Sequence, residues 1–70
     1  MTKVFINTSE IRLDALLKFS GLCDTGGQAK VLVQDGFVLL NGKKCNQRTK
    51  KIVAGDVVEY SGRAIEVACR

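Results

Sequence analysis

The sequence predicts an α+β fold: an αα-hairpin packed on a small antiparallel β-sheet, in the order β-α-α-β-β-β-β. Three observations carry this. Two helix-like stretches, each preceded by capping residues and followed by a glycine, stand side by side in the first half of the chain. After Gly36 the apolar pattern shortens to strand-length runs. Those runs are separated by Asn41-Gly42, Gly55-Asp56 and Ser61-Gly62, pairs that suit tight turns. Helices segregated from strands in this way define the α+β class.

The elements follow in order. Lys3-Val4-Phe5-Ile6 is β-branched and aromatic and reads as a strand. Asn7-Thr8-Ser9-Glu10 has the form of a capping box, with Asn7 or one of the hydroxyls as N-cap. Ile11, Leu13, Leu16 and Leu17 follow near helical spacing, so the first helix is expected from Ser9 to Ser20, with Gly21 as its C′ residue. Thr25-Gly26-Gly27-Gln28 is a second capping box; Ala29, Leu32 and Val33 then share one face, and Gly36 stops a helix expected from Gly26 to Asp35. Phe37–Leu40, Lys43–Cys45, Val57–Tyr60 and Ala64–Val67 are the later strands. The three phenylalanines are expected in the core, while Tyr60 suits either packing or an exposed ring.

Composition narrows the function. Seventy residues allow one domain, spanning 1–70, with little surplus core. No apolar run approaches the ~20 residues of a membrane span, and the first residues turn polar too soon for a secretory signal, so a cytoplasmic protein is expected. The absence of histidine removes Ser-His and Cys-His nucleophile pairs and imidazole metal ligands. Cys23, Cys45 and Cys69 have no Cys-x-x-Cys spacing and read as reduced thiols acting as small apolar residues. No carboxylate has a catalytic companion. A non-enzymatic binding module, with no metal or cofactor, is the expectation.

Charge points to the partner. Residues 1–40 are balanced, so the whole excess of +4 lies in residues 41–70. Within 41–55 stand Lys43, Lys44, Arg48, Lys50 and Lys51, with no carboxylate among them. A polyanion would be drawn to such a run by Coulomb attraction and by release of its own counterions.

The ordered set Arg12-Leu13-Asp14, Leu17, Gly21-Leu22, Ala29-Lys30, Leu32-Val33, Gly36-Phe37-Val38, Asn41-Gly42-Lys43 and Gly55-Asp56-Val57-Val58-Glu59 resembles the S4-like RNA-binding domain. The length and the Gly26–Lys30 stretch look like the small stand-alone bacterial proteins of the YbcJ type. The resemblance implies the αL arrangement of helix pair and adjoining loop. It also implies binding of structured RNA, ribosomal or transfer, through the helix-pair face and the basic loop. One departure stands out: many members carry Ser-Arg where this chain has Thr25-Gly26. The side-chain-free start of the second helix, Gly26 and Gly27, offers exposed N–H groups to a phosphate in place of that arginine.

The candidate RNA-binding residues are therefore Arg12, Gly26, Gly27, Lys30, Lys43, Lys44, Arg48, Lys50 and Lys51. Arg12 either contacts RNA or pairs with Glu10, Asp14 or Asp35. Lys18 either extends the basic face or pairs with Asp14 at i−4. Gln28 is read as a capping partner, Asn41 as a turn residue, and Asp56 as a turn carboxylate bonded to backbone. RNA is the expected partner, with the ribosome as a platform and the protein as a monomer. The alternative is a protein-interaction adaptor docking on an acidic or ribosome-associated partner. A β-grasp sulfur carrier is disfavoured, since that chemistry needs a terminal Gly-Gly and this sequence ends Ala68-Cys69-Arg70.

Overall fold

A computed structural model describes residues 2–70. The chain forms β1 (Thr2–Ile6), β2 (Ile11–Arg12), α1 (Leu13–Phe19), α2 (Gly26–Gln34), β3 (Val38–Leu40), β4 (Lys43–Lys44), β5 (Lys51–Ile52), β6 (Val57–Tyr60) and β7 (Arg63–Cys69). Two helices lie on a five-stranded sheet of order β1-β7-β6-β3-β4, and β2 pairs with β5 in a separate two-stranded ribbon. The α+β class and the helix pair follow the sequence expectation.

The sheet itself departs from it. Four strands, β7-β6-β3-β4, are antiparallel, but β1 joins β7 in parallel, with Thr2 opposite Ile65 and Ile6 opposite Cys69. Parallel neighbours need a long connection; here it is everything between the two strands, so nothing local in the sequence marks the pairing. Two further strands, β2 and β5, also lacked a signal, being two residues each.

Helix α1 starts at Leu13 rather than Ser9, and the Asn7–Glu10 capping box does not form. Its N-cap is Arg12, which makes no side-chain capping bond. The reason lies far away in sequence. The Leu13 N–H donates to the Lys50 carbonyl (2.8 Å) and the Asp14 N–H to the Arg48 carbonyl (2.9 Å). Two of the helix's free N-terminal donors are thus satisfied by the basic segment, and Ile11 and Arg12 are drawn out into β2 against Ile52 and Lys51. The end of α1 is as expected: Gly21, at φ 81°, bonds back to Lys18, while the Leu22 N–H reaches the Leu17 carbonyl. This is a Schellman closure, repeated after α2 by Gly36 (φ 79°) and Phe37.

Helix α2 begins at the expected N-cap, Thr25, with the return bond of Gln28 falling one residue earlier than a strict capping box has it. The Gln28 N–H donates to Thr25 Oγ1 (3.1 Å), and Gln28 Oε1 accepts from the Asp24 N–H (2.8 Å). The two helices contribute Leu13, Leu16, Leu17, Ala29 and Val33 to the core, all fully buried. Val38, Ile52, Val58, Ile65 and Val67 meet them from the strands. Each buried Leu contributes about 1.5–3 kcal/mol of transfer free energy, so the three of α1 are its main reason for staying helical.

The phenylalanines are not core residues: Phe5, Phe19 and Phe37 are 48%, 63% and 60% exposed. Val4 and Ile6 take the inward positions of β1, leaving Phe5 outward. Phe19 falls on the flank of the Leu13–Leu16–Leu17 stripe, and Phe37 precedes the inward Val38. Tyr60 is half-buried against the core. All three cysteines are free; burial pushes the Cys23 thiol above its ordinary pKa, with a further push from neighbouring Asp24.

Candidate nucleic-acid interface

The basic segment is held at three points. Its first part is the β3–β4 hairpin, closed by Asn41 and Gly42 at φ 52° and 85°, the geometry of a tight two-residue turn. Its middle and end are fixed by the bonds from Leu13 and Asp14 to Lys50 and Arg48. Buried Ile52 then anchors it in the core. Asn41 does more than turn: its amide oxygen accepts from the Val57 N–H (2.9 Å) and its nitrogen donates to Asp56 Oδ1 (3.1 Å). Asp56 in turn accepts from the Val53 N–H through Oδ2 (2.9 Å). The hairpin carrying Lys43 and Lys44 is thereby tied to the turn after β5.

Asp14 organises the junction with the helices. Arg12 grips its carboxylate with both Nε (3.2 Å) and Nη2 (2.7 Å), and Arg48 Nη1 approaches Oδ2 at 3.4 Å. Oδ1 also accepts from the Ala15 N–H at 2.8 Å. The carboxylate side chain is 14% exposed while the arginines remain 54% and 41% exposed. Two guanidiniums share one anion, so a net positive charge faces solvent there. Bidentate forks of this kind fix direction as well as distance.

Two shallow grooves flank this centre. One is lined by Leu40, Lys43, Lys44, Cys45, Asn46, Gln47 and Lys50, three ammonium groups with no carboxylate. The other is lined by Arg12, Asp14, Ala15, Lys18 and Gly26, where the starts of α1 and α2 meet. Lys51 stands opposite Arg12 in the β2–β5 ribbon and approaches Glu10 at 3.5 Å, an exposed pair worth little.

The structure therefore brings together seven of the nine sequence candidates. Lys43, Lys44 and Lys50 share one groove, Arg12 and Gly26 the other; Arg48 reaches Asp14 and Lys51 borders Arg12. Gly27 and Lys30 lie on α2, exposed, and line neither groove. Both helix-start glycines are free of steric demand: a Cβ at Gly26 would meet nothing within 4 Å, and one at Gly27 only the Thr25 hydroxyl at 4.0 Å. Sequence reasoning left Lys18 undecided. Its supposed partner Asp14 is taken by two arginines, and Lys18 faces the second groove instead. Asn46 and Gln47 were missed; their place between Lys44 and Arg48 was the available signal.

A cationic loop bonded through its backbone to the rim of an αα-hairpin, on a small sheet, is the architecture of an αL-type module. The S4 domain family model matches residues 4–68, and the chain belongs to that family. The YbcJ protein of Escherichia coli (strain K12) is 35% identical over 57 residues, covering 81% of each chain. The solution structure of YbcJ, described as revealing an αL motif involved in RNA binding, matches with a TM-score of 0.74 at 30% identity over 97% of this chain and 87% of that one. The Bacillus subtilis (strain 168) protein named "Probable ribosome maturation protein RlbA" is 37% identical over 59 residues, 84% of this chain and 83% of that one. The small ribosomal subunit protein uS4 of Mycoplasma mobile is 36% identical over 63 residues, 90% of this chain but 32% of uS4.

Proposed function

We propose that this chain is a non-enzymatic RNA-binding module that neutralises backbone phosphates of a structured, ribosomal RNA. Lys43, Lys44 and Lys50 form the main cationic groove. Arg12, Arg48, Lys18 and Lys51 continue it to the helix pair, where Gly26, Gly27 and Lys30 extend the track. Recognition on such a surface is mostly of shape and phosphate position, since side chains cannot read the deep groove of an RNA duplex. The single observation that supports this reading best is the pair of backbone bonds from Leu13 and Asp14 into the Arg48–Lys50 stretch. They tie the backbone of Arg48 and Lys50 to the start of α1, next to Arg12. The ribosomal relatives, uS4 and RlbA, favour ribosomal over transfer RNA.

The test is a variant with Lys43, Lys44, Lys50 and Lys51 all changed to alanine. These side chains are exposed, so the variant keeps the wild-type circular dichroism and thermal transition. Its affinity for a hairpin fragment of ribosomal RNA, followed by fluorescence anisotropy, is expected to fall by at least about 100-fold, in keeping with several lost phosphate contacts. Undiminished binding by the folded variant places the footprint elsewhere.

A further inference from the structure

We infer that the groove formed by Phe5, Asn7, Phe19 and Arg70 takes an unpaired nucleobase of the same RNA, and so serves as a stacking subsite beyond the phosphate track. This rests on the RNA-binding reading above. Phe5 lies on β1, Asn7 just after it, Phe19 at the end of α1 and Arg70 just after β7, and the four line one open groove. Phe5 and Phe19 are 48% and 63% exposed, while the core is built from Leu, Val, Ile, Ala and Cys23. The Arg70 guanidinium lies over the Phe5 ring, 5.8 Å from its centre. Ala68, opposite Phe5 in the ladder, leaves room beside that ring.

The chemistry fits a nucleotide better than an apolar side chain. Two aromatic rings offer flat surfaces for a base, the guanidinium can stack or hold a phosphate, and the Asn7 amide can donate and accept at a base edge. No Asp or Glu side chain lines the groove.

The groove also adjoins the cationic surface along the chain of α1. Lys18 lines the groove at Arg12, and the next residue, Phe19, lines this one. Helix α1 spans seven residues, about 10 Å at 1.5 Å per residue. A strand whose phosphates are held at Arg12 and Lys18 thus reaches Phe19 within a nucleotide or two. A single-stranded extension of a structured RNA, rather than its duplex part, is the class of ligand that can supply the base.

Two RNA probes separate this inference from the reading beneath it: a blunt ribosomal hairpin, and the same hairpin with a single-stranded oligo-adenosine tail. The Phe5→Leu/Phe19→Leu variant keeps apolar bulk at two exposed sites and therefore folds. Its expected affinity for the tailed probe falls about tenfold, the scale of one lost stacking contact. Its affinity for the blunt probe stays at the wild-type value, and its salt dependence is unchanged. Equal affinity of wild type and variant for the tailed probe overturns the inference while leaving the phosphate reading intact. Failure of the wild type to bind either probe overturns both.

Discussion

Asp14 is the carboxylate that bridges the two arginines of the interface, and it faces Arg12, Arg48 and the Ala15 N–H together. Its neighbours would repel one another without it. The Asp14→Asn change keeps the shape and removes the charge, leaving two guanidiniums facing each other over a neutral amide. The expected cost is about 1 kcal/mol, since both arginines are part-exposed and solvent screens them. Urea denaturation reads this as a lower midpoint at unchanged slope. An unchanged midpoint would mean that the fork orders the arginines without stabilising the fold. The pairing of Arg12 with Asp14 was one of the alternatives open from the sequence, because the two lie two residues apart. The approach of Arg48 was not, because nothing in a chain of letters places residue 48 beside residue 14.

The two helices differ in how their ends are built, and the difference explains what could be read in advance. Helix α2 carries its own instructions: Thr25 caps it, Gln28 bonds back to Asp24, and Gly36 closes it, so its start and stop were legible to within a residue. The closure of α1 at Gly21 was equally legible. Its start was not, because backbone carbonyls of Arg48 and Lys50 do the capping. The glycines offer a matched test. Gly21 and Gly26 both stand in open space, but only Gly21 has a positive φ, +81°. Alanine at Gly21 is expected to cost about 1–2 kcal/mol through the left-handed backbone. Alanine at Gly26 is expected to stabilise by about 0.5–1 kcal/mol by restricting the unfolded chain. Opposite shifts in thermal midpoint would support this assignment; shifts of one sign would contradict it.

Over the whole molecule, the charge asymmetry seen in the sequence becomes a geometric one. The cations of residues 43–51 fold back against Arg12 rather than trailing as a solvated loop. The basic run itself was plain from composition. The exposure of the phenylalanines was not, since residue preferences for the interior cannot say which apolar positions a small core leaves over. Binding that depends on this surface is expected to weaken steeply with salt. The log–log slope should lie near −0.7 to −0.9 for each phosphate contacted, and become shallower in the four-lysine variant. A flat salt profile between low and physiological ionic strength would remove electrostatic neutralisation as the source of affinity.

The parallel seat of β1 beside β7 also sets an order of events. The partner of β1 lies more than fifty positions later in the chain, so during synthesis β1 waits until β7 has been made. The helix pair and the β3–β6 hairpin network assemble from nearer neighbours and are in place sooner, because closing a long loop is slow. Until β7 arrives, Val4 and Ile6 stay in water, and the nascent chain presents an open sheet margin to whatever surrounds it.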